Sequence, residues 1–123
     1  MLLFILKLIY YKGNRMEANT YQKKTMDTAV YPGAGTGDNT ELVYLGLGLA
    51  SEAGEVAGNI KKLIRDGKYD PGSLAYELGD CCWYIARLAW AVGYDFSDIL
   101  KINHAKLTKR KEAGTIKGSG DSR

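Results

Sequence analysis

A chain of 123 residues has room for one compact domain and not for two. With 46% hydrophobic and 25% charged residues it is globular in make-up and not disordered, and with only two prolines long stretches are open to helix. The net charge of +3 suits a phosphate-bearing partner without demanding nucleic acid. Cys81 and Cys82 are adjacent, which excludes a CxxC redox pair and a spaced metal knuckle and suits thiols kept reduced in a cytoplasm.

The chain opens with an apolar run, Met1 to Tyr11, too short for a transmembrane helix of about 20 residues. It has neither the basic prefix nor the cleavage site of a signal peptide. An extra packed helix, a membrane-surface or oligomer contact, and translation from upstream of the real start are the readings. Met16 begins a polar, helix-competent segment and favours the last, so residues 1–16 are expected to be an extension and 17–123 the domain.

The first domain helix is expected over Asn19 to Ala29, capped by Asn19 or Thr20. A loop follows from Tyr31 to Asn39, rich in glycine. Gly33 to Gly37 follows no strand and lacks Gly-Lys-Ser/Thr, so it is read as a plain flexible loop, at most a lid, and not a phosphate-binding loop. A second helix is expected from Glu41 to Arg65, capped by Thr40 and closed by Gly67. The third runs from a cap at Asp70 or Ser73 to Val92, with Gly93 closing it, and the fourth from Asp95 or Ser97 to Lys111. Apolar residues at helical spacing and short connections predict an all-α fold, an antiparallel bundle of four main helices. The third helix is apolar over so much of its surface that a homodimer or homotetramer is expected.

Glu52 and Glu55 are three residues apart on the second helix, and Glu77 and Asp80 three apart on the third, so each pair shares a helix face. Such pairs are common on solvated faces. Here both lie among alanine, glycine and large apolar residues with no cation beside them, which favours an interior or a cleft. Two like charges about 4 Å apart at an effective dielectric of 20 cost on the order of 4 kcal/mol, so four gathered carboxylates require protons or a cation. Oxygen-only ligands point to Mg²⁺, with Mn²⁺ as the substitute. Gly54 and Gly79, costly inside helices, suggest close approach of a helix or ligand. A di-iron carboxylate bundle needs Glu-x-x-His pairs, and the lone His104 follows Lys101 at that spacing.

At these residues the sequence resembles the MazG-like nucleoside triphosphate pyrophosphohydrolases of the all-α NTP pyrophosphatase superfamily. Ser51-Glu52-Ala53-Gly54-Glu55 and Glu77-Leu78-Gly79-Asp80 match the family's Glu-Glu-x-x-Glu and Glu-x-x-Asp, with Ser51 in place of the first glutamate. Lys61-Lys62, Trp83-Tyr84, Asn103 to Arg110 and the tail Gly114 to Arg123 extend the likeness to small phage and bacterial members. The resemblance implies Mg²⁺-dependent hydrolysis of a (deoxy)nucleoside triphosphate to the monophosphate and pyrophosphate. The metal would lie on Glu52, Glu55, Glu77 and Asp80, with Glu55 also the preferred base. Asn103, Lys106 and Arg110 share a face of the fourth helix and are expected at the phosphates, although cations there also complement a helix C-terminus. Tyr84 is expected beside the ligand, and Tyr21 and Gln22 near the base. Phosphoribosyl-ATP or dUTP hydrolysis and a non-catalytic helical module binding metal or nucleotide are the alternatives. The basic stretch Lys106 to Lys111 has no interleaved aromatics, so no nucleic-acid partner is expected, and no membrane span.

Overall fold

The computed structural model describes residues 1–123, the side chain of Phe4 excepted. Among the described residues the structure is all helical: α1 (Leu2–Gly13), α2 (Ala18–Thr25) followed by a 3₁₀ turn over Met26–Thr28, α3 (Asn39–Asp66), α4 (Pro71–Ala91) and α5 (Phe96–Glu112). The four-residue link 67–70 turns α4 back along α3, and these two long helices share the largest interface. α4 is the centre of the bundle, since α2 and α5 pack on it as well as on each other. No described helix is long and apolar enough to cross a membrane.

Acidic residues start every domain helix, and two of them displace the caps expected from sequence. The Glu17 carboxylate accepts from the backbone N–H of Asn19 and Thr20, so α2 begins earlier than Asn19 or Thr20 could start it. Asp38, not Thr40, caps α3 by accepting from Glu41 N–H at 3.0 Å. Asp70 caps α4 through Gly72 N–H, with Pro71 in the first turn where its missing N–H costs nothing. Ser73 points instead to Asn59 on α3. Gly67 takes the left-handed φ of 72° that closes α3.

α5 is capped from outside. Asp95 makes no side-chain cap, and the first free N–H groups of α5 are satisfied by α2: Phe96 donates to Gln22 Oε1 at 3.1 Å and Ser97 to Asn19 Oδ1 at 2.9 Å. The Gln22 amide also donates to the carbonyls of Ala86 and Tyr94. One buried glutamine thus ties α2, α4 and α5 together.

The interior is small and polar. Among the described residues four hydrophobic ones are buried, Tyr31, Leu45, Ala86 and Ala89, against six polar ones, among them Glu41 and Arg87. Much apolar surface stays outside, including Leu47 and Ile64 on α3 and Tyr76 on α4. α1 is separate in character: Leu2, Leu3, Leu6 and Ile9 are mostly exposed, and a groove lined by Lys7, Leu8, Tyr11, Pro71, Ala75 and Tyr76 lies between it and the N-terminal end of α4.

Candidate active site

The facing surfaces of α3 and α4 bring the predicted acids together across the helix pair. Glu52, Glu77 and Asp80 each offer a carboxylate oxygen, all within 4.8 Å of one another. Glu52 and Glu77 are half-buried and Asp80 is exposed. Glu55, one turn further along α3, is exposed and stands outside this trio. Burial and then the charges of Asp80, Glu77 and Glu55 push the Glu52 carboxyl above its ordinary range. The same negative field adds to burial in raising the Cys81 thiol and the Tyr21 and Tyr84 phenols. An oxygen-only donor set of this spacing and unrelieved charge fits a hard divalent cation.

Beside the acids lies an open cleft of 300 Å³ lined by Thr28, Glu52, Asp80, Trp83 and Tyr84. Trp83 is held by its indole N–H, which donates to Thr28 Oγ1 at 2.8 Å. Its ring meets Tyr84 edge-on, with centroids 5.0 Å apart. The Tyr84 ring lies against Gly48 of α3, where any Cβ would overlap it. Gly48 is therefore the glycine that close approach requires. Gly54 and Gly79, which carried that expectation, have open space at the Cβ position among the described atoms.

The remaining predicted residues stand differently. Asn103 is exposed on α5. Lys106 and the buried Arg110 both reach the Asp121 carboxylate, at 3.3 and 3.1 Å, and Arg110 also donates to the carbonyl of Gly120. The Arg110 and Lys106 contacts hold Asp121 below the usual carboxylate range. In this structure the pair binds an anion, and that anion is the chain's own tail. Gln22 is committed to backbone, as described above. Tyr21 packs against Phe96 with centroids 6.4 Å apart.

Two charged residues to which the sequence assigned no site role prove central. Glu41, fully buried in the first turn of α3, accepts from Tyr31 O–H at 2.7 Å, Gly35 N–H at 2.6 Å and Gly37 N–H at 2.9 Å. Arg87 of α4, also buried, places a guanidinium nitrogen 3.9 Å from the same carboxylate and donates from Nε to Tyr31 O–H at 3.2 Å. The glycine loop is accordingly a built turn and not a loose one. Gly33, Gly35 and Gly37 all take positive φ, which lets two backbone N–H groups converge on one anion. Loops that cradle phosphate use this geometry; here Glu41 supplies the anion. A signal for Arg87 was present, since a lone cation in the apolar stretch Ile85 to Trp90 is as conspicuous as acids without cations. Glu41 sits at a helix start, where acids are ordinary, and gave none.

The chain is 43% identical over 114 residues to the Gene 37 protein of Mycobacterium phage L5, an alignment covering 88% of this chain and 100% of that protein. No solved structure matches the chain. The family model of the MazG nucleotide pyrophosphohydrolase domain matches residues 42–115, the span that carries all four acids, Trp83, Tyr84 and α5. The chain belongs to the MazG nucleotide pyrophosphohydrolase family.

Proposed function

We propose that the protein hydrolyses a (deoxy)nucleoside triphosphate between the α and β phosphates, releasing the monophosphate and pyrophosphate, with Mg²⁺, or Mn²⁺ in its place, as cofactor. The observation that carries this reading is the trio Glu52, Glu77 and Asp80, whose oxygens lie within 4.8 Å beside an open aromatic-walled cleft in a MazG domain. A divalent ion held there would screen the triphosphate and acidify a bound water. Glu55 completes the acid set from one turn away, and its position outside the trio supports its use as the base that takes the proton of the attacking water.

Trp83 and Tyr84 present ring surface to the nucleotide beside the acids. Asn103, Lys106 and Arg110 are the groups for the phosphates. The grip of Lys106 and Arg110 on Asp121 supports this for those two, because the same donors that hold a carboxylate hold a phosphate, and substrate would take that carboxylate's place. The exposed apolar faces of α3 and α4, set against so few buried hydrophobic residues, support a homodimer or homotetramer. Free Cys81 and Cys82 agree with a cytoplasmic setting.

The test is a panel of ribo- and deoxynucleoside triphosphates, with dUTP and phosphoribosyl-ATP included, scored by pyrophosphate release with Mg²⁺, Mn²⁺ or a chelator. Metal-dependent release from at least one substrate is expected. Glu55→Gln and Asp80→Asn should abolish it while far-UV circular dichroism stays unchanged. Silence across the panel, with acid substitutions that alter only assembly, would instead establish a non-catalytic helical module.

A further inference from the structure

The buried Tyr31–Glu41–Arg87 group is in contact with the cleft through a chain of aromatic rings. Tyr31 stacks on Tyr44 with centroids 4.8 Å apart and planes 12° from parallel. Its ring also meets Trp83 edge-on at 5.9 Å. Trp83 in turn abuts Tyr84 and is fixed at its far end by Thr28. The Tyr31 hydroxyl has no freedom left, since it donates to Glu41 and accepts from Arg87 Nε. Glu41 is itself clamped by the glycine loop, and the Arg87 guanidinium lies over Trp90, 4.8 Å from the ring centroid. Every partner that could let Tyr31 rotate is thus held from a different segment: the glycine loop, α3 and α4.

We infer that this network is a positioning device for the pyrophosphohydrolase cleft, in which Glu41 and Arg87 lock the Tyr31 ring so that Trp83 keeps the orientation in which it walls the nucleotide site. None of the three is a catalytic residue; they act through Trp83. The expense of burying a carboxylate and a guanidinium at this point, with Arg87 Nη1 left without a partner, is understandable if the orientation of one ring is what they secure. The role as nucleotide wall depends on the proposed function, whereas the restraint on Trp83 does not.

Tyr31→Phe removes a single hydroxyl and keeps the ring. The expected result is a rise in KM for the triphosphate of roughly two- to tenfold, the worth of one hydrogen bond, with kcat within about twofold by the logic of lost ground-state and transition-state binding alike. In a Trp83→Phe background the same change should add nothing, because its effect passes through the indole. Acrylamide quenching, taken as the difference between the chains with and without Trp83, should rise on Tyr31→Phe while far-UV circular dichroism holds. Unchanged KM and unchanged quenching in the folded variant would overturn the inference, and so would equal additive losses in the Trp83→Phe background. The quenching arm needs no turnover. Greater quenching in a chain that hydrolyses nothing would keep the restraint on Trp83 and remove the hydrolase reading. Metal-dependent turnover with unmoved KM and quenching would do the reverse.

Discussion

α3 and α4 carry two clusters of charge that teach opposite lessons. At one level the buried Glu41 meets the buried Arg87, the hydroxyl of the buried Tyr31 and two part-buried backbone N–H groups. Three turns along α3, Glu52 meets Glu77 and Asp80 with no cation among the described residues at the trio. The chemistry of the side chain is the same, and the surroundings reverse its behaviour. Burial pushes the Glu41 carboxyl up, but the bonds from Tyr31, Gly35 and Gly37 and the Arg87 charge hold it below the usual range. Glu52 is pushed above it by burial and by its acidic neighbours. A charge whose partners are all internal serves the fold, while a charge whose partners are wrong for it within the chain is available to a ligand.

The sharpest break between the two clusters lies in what each substitution costs. Glu52→Gln should lower pyrophosphate release by on the order of a hundredfold or more, as removal of a metal-orienting carboxylate does, with little change in the denaturation midpoint. Glu41→Ala should do the converse and destabilise by about 3–5 kcal/mol, because it leaves Arg87 buried and uncompensated. Urea titrations beside rate measurements check both. If Glu41→Ala proved as stable as the parent, the structural assignment of that cluster would be wrong.

Metal should act on one cluster alone. Saturating Mg²⁺ at about a hundred times its Kd stabilises a single-site protein by about 2.7 kcal/mol. A corresponding rise in melting temperature is expected for the parent chain and for Tyr31→Phe but not for Asp80→Asn, and chelator should reverse it.

The pH response should also separate them. With its folded-state carboxyl lowered, Glu41 contributes stability that is present above the unfolded value near 4.5 and is lost as pH falls through the depressed folded value. Glu41→Gln should flatten that acid limb. With its carboxyl raised, Glu52 favours folding when protonated, and this contribution disappears as pH rises through the raised folded value. Glu52→Gln should therefore stabilise the metal-free protein at neutral pH, by less than about 1 kcal/mol because the group is partly solvated.

The smallest effects concern glycines in α3. Gly54→Ala, with open space at its Cβ, should stabilise by roughly 0.5–1 kcal/mol through helix propensity. Gly48→Ala must displace the Tyr84 ring and should raise KM for the triphosphate. A destabilised Gly54→Ala, read by sedimentation as well as melting, would mean that a second copy of the chain packs there.

Fold class, the four main helices and their closing glycines Gly67 and Gly93 were legible in the sequence, as was the candidacy of Glu52, Glu77 and Asp80, which the structure brings together without Glu55. These are local or periodic properties: a helix shows its apolar spacing and stops at a left-handed glycine wherever it lies. The likeness to the MazG family was legible for the same reason, since its acidic motifs are short and keep a set spacing. What depends on partners distant in sequence was not. Gln22 of α2 caps α5 across 74 residues, Arg87 reaches back 56 to Tyr31, and neither spacing carries a period. Gly48, Gly54 and Gly79 are the same residue in the same kind of helix, and only the packing of α4 on α3 decides which of them must lack a side chain. Sequence set which charges the helices present; tertiary structure chose which are neutralised inside the chain and which gather without a counter-charge, because the free energy of a charge is determined by what surrounds it.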